Sequence, residues 1–440
     1  MAAAAMIRDG AATTMRNDPR SHGLWEMTAP PAPETRPLDG DASVDVAVVG
    51  AGYTGLSAAL HLAERGASVA VLEAAGIGFG GSGRNVGLVN AGLWVMPEDI
   101  VATLGHERGE RLLALLGEAP AAVFDIVQRH AIACEAERAG TLHCAVGEEG
   151  LAELAERARQ WQARGAPIEL LDAAGAARLT GTSAYTGALL DHRAGTIQPL
   201  AYARGLARAA LSAGAAIHTG TPVTALTFDG AVHRLATARG QVTAKRVIAA
   251  TNAYSSAAFG DLRQELVALP YFNIATEPLS SNVLGSILPG RQGCWDTKEV
   301  LSSFRLDRSG RLIIGSVGAL RGTGTAIHRR WARRSLRRLF PQLGEVAFEA
   351  EWYGRIGMTT DSLPRFHRSE SGIVSCGGYN GRGIGPGTVF GRLLAQVVMG
   401  EIDDADLPLP VTKMENPTWR AAREGFYEVG SQFAHLSSRI

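Results

Sequence analysis

Lysine is almost missing from this 440-residue chain: Lys245, Lys298 and Lys413 are the only ones, and arginine supplies the rest of its 43 basic residues. That bias reflects genome composition before function, but it removes most candidates for any step that needs a lysine amine. Cysteine is scarce too. Cys134, Cys144, Cys294 and Cys376 are scattered without a C-x-x-C pair, which argues against a zinc site or other bound metal and fits a reduced, cytoplasmic setting. No apolar run is long enough for a transmembrane segment, and the opening MAAAAMIRDGAATTM lacks the apolar stretch of a signal peptide. Charge of either sign is not in excess, with 43 acidic residues balancing 43 basic ones. No global field therefore favours nucleic acid or an anionic membrane.

What is present is glycine, in patterned places. Val46 to Glu73, VAVVGAGYTGLSAALHLAERGASVAVLE, reads as strand, glycine turn, amphipathic helix, second strand and closing acid. Gly50 allows the tight turn, Gly52 leaves room for a pyrophosphate against the backbone, and Gly55 lets the helix pack closely on the strand. Tyr53 and Thr54 open that helix, whose free N–H groups and partial positive charge suit phosphate. Glu73, followed by Ala74, ends the second strand, where a carboxylate accepts from ribose hydroxyls and repels a 2′-phosphate. FAD or NAD is favoured over NADP. The early position of the unit, with no second fingerprint of equal quality downstream, points to a one-nucleotide FAD protein.

Gly76 to Asn90, GIGFGGSGRNVGLVN, is a glycine-dense loop that can bring several amides against a flat ring. Helical spacing follows from about Glu98 to Gln162. An α/β rhythm returns from Leu189 to Thr251, with Val223 placed to meet an adenine edge and Thr251 and Asn252 ending a buried strand near the phosphates. Alternating strands, among them YFNIATEPL, VLSSFRLD and RLIIGSVG, suit a sheet that floors a cavity. The next helix carries Arg329, Arg330, Arg333, Arg334, Arg337 and Arg338, a basic face whose ordinary role is solvation. It nevertheless keeps open a second class of function, a non-catalytic flavoprotein that binds a surface through this helix. Gly372 to Gly400 repeats the logic of the start: apolar strand, glycine turn, apolar helix. Gly377, Gly378, Gly381, Gly383, Gly385 and Gly387 would let the chain approach a ligand, and the helix beginning near Thr388 aims its positive end at it.

The pairing of VVGAGYTGLSAALHLAERG with GGSGRNVGL, IATEPL and GGYNGRG resembles the FAD-dependent amino-acid and amine oxidoreductases, which include glycine oxidase, sarcosine oxidase and γ-glutamylputrescine oxidase. GGSGRNVGLVNAG, GTLH, LLDHRAGTIQP, WDTKEVLSS and GYNGRG are also similar to bacterial L-pipecolate oxidases. The resemblance implies an α/β fold: a discontinuous glutathione-reductase-type Rossmann FAD domain (41–95, 196–256 and 355–405) and an inserted α+β substrate domain on a mixed antiparallel sheet (96–195 and 257–354). An N-terminal arm (1–40) and a C-terminal tail (406–440) flank them.

The same resemblance puts Gly50, Gly52 and Gly55 on the pyrophosphate and Glu73 on the ribose. It puts Ser82, Arg84, Asn85, Val86, Gly87 and Leu88 beside the flavin, and Gly381, Arg382, Gly383 and Ile384 at the isoalloxazine edge. Some relatives tether flavin to a cysteine, but Trp352 to Gly357 contains none, so FAD is expected to be non-covalent. The lysine that sarcosine-type oxidases hold over the flavin is missing from Arg311 to Gly318, leaving oxygen or a quinone or electron-transfer protein as acceptor. The implied reaction removes hydride from the carbon beside an amine nitrogen of a small-molecule amino acid or amine. Arg382 is the expected carboxylate partner, and Tyr271, Trp94, Trp352 and Tyr379 are expected to line the cavity. His192, Arg193 and His61 are expected to be structural.

Overall fold

A computed structural model describes residues 22–255, 257–414 and 417–437. Two eight-stranded sheets organise the chain, which passes repeatedly between them.

The first sheet runs Arg365–Arg368, Val374–Gly377, Gly240–Ala249, Ala42–Val49, Val69–Leu72, Ala216–His218, with Ala225–Phe228 and His233–Thr237 added antiparallel beside Gly240–Ala249. Its central strands are parallel, as continuous apolar segments such as Ala47, Val48 and Val49 require when both faces are covered. The helices Tyr53–Glu64, Pro199–Ser212 and Ile384–Val398 share one core with it. Leu38, Val223 and Leu235 help close the other face.

The second sheet runs Phe348–Met358, Val267–Pro278, Arg311–Val317, Ser302–Leu306, Gly293–Asp296, Thr141–Ala145, Gly187–Asp191, Ile168–Asp172. Every pairing is antiparallel except Gly293–Asp296 with Thr141–Ala145. The period-two alternation of a strand divides its side chains. Leu142, Cys144, Phe272, Ile274, Cys294 and Phe304 pack with Trp331 and Leu336 of the helix Thr323–Leu339. Residues alternate to them point the other way, and one cross-strand row there reads Trp352, Asn273, Gly315, Ser303, Trp295, His143.

Three segments depart from the sequence expectation. The arm is not simply extended: Leu24–Thr28 is a helix whose Leu24 and Trp25 are wholly buried, since an indole and a leucine offer more apolar area than the following prolines. The helical stretch after Glu98 is interrupted by the strand Thr141–Ala145, too short to break the helical period by eye. The tail contains the helix Arg420–Ser437, lying against the second sheet. Residues 1–21 lie outside the described residues.

Candidate active site

At the first sheet's strand ends, the glycines do what the turn requires. Gly50 adopts φ +106°, and a Cβ there would lie 2.8 Å from the Ala250 oxygen. A Cβ on Gly55 would lie 2.0 Å from the Gly50 oxygen, so only glycine permits this helix to sit on this turn. The Glu73 carboxylate accepts 2.8 Å bonds from the N–H groups of Ala51 and Ala75 and is fixed beside the turn, next to exposed Ala74. Burial raises its pKa, against the pull of those two bonds. Tyr53 N–H, at the helix start, donates to Ser82 Oγ at 3.1 Å, and the Tyr53 ring turns inward, its hydroxyl donating to the Ser82 and Pro199 carbonyls.

Val223 is buried among apolar neighbours below this end, and Thr251 stands near Gly50 with its hydroxyl on Ser255. Asn252 is turned elsewhere: with φ +43°, its Oδ1 accepts from Gly378 N–H at 3.2 Å, tying the strand end to the C-terminal loop.

The Gly81–Leu88 loop is clamped from behind. Asn85 Nδ2 donates to the Gly81 and Ser82 carbonyls and to the Tyr53 hydroxyl, while its Oδ1 accepts from Gly87 N–H. The Arg84 carbonyl accepts from Trp352 Nε1 at 3.0 Å and from Asn273 Nδ2 at 3.2 Å. Trp25 Nε1 donates to the Asn85 carbonyl at 2.8 Å. The Arg84 guanidinium lies 4.5 Å from the Phe79 ring centre, and Val86 packs with Trp25 and Trp352. Gly87, at φ +89°, passes so close to Ile197 that a Cβ would sit 2.2 Å from its oxygen, and Leu88 pairs with Thr196. Buried Arg305 donates to the Ile197 and Gly87 carbonyls, and desolvation lowers its pKa to about 10.

Trp352 therefore does not line a cavity. It has no exposed surface and packs edge-on to Trp25, with ring centres 5.4 Å apart. Tyr379 is a second correction. Its hydroxyl shares a 2.9 Å bond with Thr54 and donates to the Cys376 carbonyl, so it staples the two glycine-rich units together. Tyr271 keeps partial exposure on the row side of the sheet, its hydroxyl 2.7 Å from Ser303 Oγ. Some late glycines serve packing as well as approach: a Cβ on Gly391 would lie 2.5 Å from the Thr54 oxygen, and one on Gly387 3.1 Å from Tyr53 Cβ. Gly381 has φ +88° and, with Gly383, leads into buried Ile384 at the helix start.

Arg382 is boxed by aromatic rings. Its guanidinium carbon lies 4.5 Å from the Trp94 ring centre and 5.4 Å from that of Trp295, and Nη1 donates to the Ala91 carbonyl at 2.8 Å. Burial and nearby Arg157 pull its pKa down to about 9. Trp94 donates from Nε1 to the Asn380 carbonyl and meets both His143 and Trp295 edge-on. His143 stacks on Trp295 at 4.9 Å, and burial with the charges of Arg157 and Arg382 holds its pKa well below the usual histidine range. Arg157 supports Trp94, donating to its carbonyl at 2.7 Å. Arg382 Nε, Trp295 Nε1, His143 Nδ1, Arg157 Nε and Asn273 Oδ1 are buried polar atoms without a hydrogen-bond partner. Such orphans are uncommon in a finished interior, and here five of them accompany the aromatic box. His143, Trp295, Asn273 and Arg157 were not foreseen as site residues. The available signal was a histidine or indole alternating with core residues in the short strands TLHCA and GCWD.

Residues 45–397 match the model of the family described as FAD dependent oxidoreductase. The chain belongs to that family of flavoproteins. It is 35% identical over 412 residues to γ-glutamylputrescine oxidoreductase of Escherichia coli K12, covering 92% of this chain and 95% of the relative. Among solved structures, glycine oxidase from Geobacillus kaustophilus superposes with TM-score 0.68 at 22% identity, covering 84% of this chain and 99% of that one. L-proline dehydrogenase from P. horikoshii gives 0.69 at 18%, covering 84% and 98%. The chain is thus an FAD-dependent oxidoreductase. The residues present fit FAD: a glycine turn at Gly50 and Gly55 where a Cβ would strike backbone, a helix start with a donor beside it, and a fixed acid at the strand end.

Proposed function

We propose that this flavoprotein oxidises the CH–NH bond of an α-amino acid carrying a secondary amine, with L-pipecolate or a similar cyclic amino acid as substrate. When bound, FAD would supply the two-electron acceptor for the hydride that leaves the carbon beside nitrogen. Gly50, Gly52, Tyr53, Thr54, Gly55, Glu73 and Ala74 would hold its nucleotide end, with Val223 and Thr251 beneath, while Asn252 ties the strand end to the C-terminal loop. Ser82, Arg84, Asn85, Val86, Gly87 and Leu88, with Gly381, Gly383 and Ile384, would hold its flavin end. Binding is non-covalent.

The observation that carries the reading is Arg382 between Trp94 and Trp295 with Nε unpartnered. A guanidinium in a desolvated aromatic slot is a strong carboxylate partner, because the same charge–charge hydrogen bond is far weaker in water. The amine must react neutral, whereas a free alkylamine has a pKa of about 10. The surroundings answer this without a dedicated base: burial disfavours the ammonium, and the positive charges of Arg157 and Arg382 disfavour it further. His143 is neutral and interacts with the Asp296 backbone, so its free Nδ1 can accept from the substrate N–H. Trp94, Trp295 and Tyr271 wall the site and exclude water, orienting the C–H bond.

The strand Arg311–Val317 presents Gly315 to the site where a lysine would assist oxygen, which supports a quinone or electron-transfer protein as acceptor, with oxygen as the slower one. The 35% identity to γ-glutamylputrescine oxidoreductase favours a second reading, an acyclic amine substrate. Comparing kcat/KM for L-pipecolate, its carboxamide and γ-glutamylputrescine separates the two. A roughly hundredfold preference for carboxylate over carboxamide is expected from a charge-assisted pair. Equal rates on acid and amide, with γ-glutamylputrescine fastest, would overturn the first reading.

A further inference from the structure

The helix Arg420–Ser437 is amphipathic the wrong way round. Its polar residues face the protein: Glu424 accepts from Ala268 N–H, Glu428 pairs with Arg321, and Ser431 and His435 are buried, His435 between Ser316 and His328. Its apolar residues face outward. Trp419 just before it is 81% exposed, and Phe426, Val429, Phe433 and Leu436 are 71, 52, 66 and 53% exposed. A stripe of this kind costs free energy in water and marks a surface that something covers.

The spacing identifies what. Trp419, Ala422, Phe426, Val429, Phe433 and Leu436 follow alternating steps of three and four, the seam of two helices packed side by side. Of the positions flanking the seam, Gly425, Gly430, Gln432 and Ser437 are uncharged and Arg423 alone carries charge, which allows close approach over the C-terminal two thirds of the helix. A lipid-facing helix would pair its apolar stripe with a cationic polar face, whereas here Arg420 and Arg423 are balanced by Glu424 and Glu428, and the two acids are already docked. The helix also lies beyond residues 45–397, the part matched by the family model.

We propose that Arg420–Ser437 is the pairing surface of a homodimer, its stripe laid against the same stripe of a second copy. A two-fold axis makes one surface complementary to itself. With aromatic side chains contributing on the order of 150–250 Å² each when buried, the stripe removes roughly 600 Å² per copy from water, about 1,200 Å² in all, enough for a specific interface.

Sedimentation velocity of the FAD-loaded protein at micromolar concentration tests this. The wild type should sediment at twice the chain mass. Phe426→Glu with Phe433→Glu should give the single-chain mass, weakening self-association about a hundredfold or more, with unchanged flavin absorbance and circular dichroism. Val429→Cys should form an intermolecular disulfide with diamide, the native thiols being buried. The proposal is overturned if the wild type is a single chain, if the double variant keeps the wild-type mass, or if Val429→Cys does not cross-link. A wild-type single chain that floats with phosphatidylglycerol vesicles through the same residues would assign the stripe to lipid instead.

Discussion

A single guanidinium carries the substrate assignment, and its environment makes the consequences of removal calculable. Arg382→Met keeps the volume against Trp94 and Trp295 but removes the charge. A charge-assisted hydrogen bond contributes about 1.5–3 kcal/mol, so KM for an amino-acid substrate should rise roughly 10- to 150-fold while FAD content stays intact. Steady-state kinetics with flavin absorbance as the control checks this. Trp352→Phe is expected to act differently, since it removes a 3.0 Å bond to the Arg84 carbonyl in the loop proposed to hold the flavin. The loss of about 1 kcal/mol should weaken FAD binding severalfold with KM little changed, read by titrating apoprotein. At this scale the sequence displays the glycines because backbone geometry leaves no other residue type. Trp352 and Tyr379 were misplaced for a physical reason: an aromatic near a ligand and an aromatic behind the loop that holds it look identical in sequence. His143 and Trp295 become legible only when register sets them side by side.

Among the elements, the N-terminal and C-terminal glycine units work as one because their helices touch along Gly387 and Gly391. Gly391→Val would drive a branched side chain into Thr54 O and Ser57 Cβ, 2.5 and 2.6 Å from where a Cβ would stand. Thermal denaturation and FAD retention should both fall, by an overpacking cost of about 1–3 kcal/mol or more.

The C-terminal helix is held partly by His435 on His328, their Nδ1 atoms 2.8 Å apart. Burial lowers His328 to about 4 and, with the neighbouring His328 and Arg334, lowers His435 to about 3. Both folded values lie below the unfolded value of about 6.5, so their contribution is complete above that pH and is lost as pH falls below it toward 4 and 3. Hydrogen-exchange protection of 420–437, corrected for the intrinsic rate at each pH, should therefore fall between pH 7 and pH 5, about the unfolded histidine value, and His435→Asn should flatten that dependence. This helix was not legible in the sequence, where 406–440 is expected only as a C-terminal tail: which face docks depends on the receiving surface, against which Glu424, Glu428 and Ser431 turn inward.

Across the whole molecule, the Rossmann strands and the alternating second-sheet strands could be read early because parallel burial and period-two alternation are local patterns. The chain's repeated passage between the sheets could not be, since it depends on which edge each strand joins. Among the described residues no helix is long and apolar enough to cross a membrane, and no group of three or more metal-ligating side chains gathers. All four cysteines are buried, Cys134 with its thiol pushed up to about 12 by burial, so none is poised to bond a flavin. Acid precipitation should release all of the FAD into the supernatant, and colour retained in the pellet would contradict the non-covalent assignment.

The most direct measurement is anaerobic reduction of the purified yellow protein by L-pipecolate, L-proline, sarcosine and γ-glutamylputrescine, followed at the flavin absorbance band. Rapid, complete bleaching by L-pipecolate at the lowest concentration is the predicted result. A protein that takes up no FAD, or a flavin that none of these amines bleaches, would contradict the account.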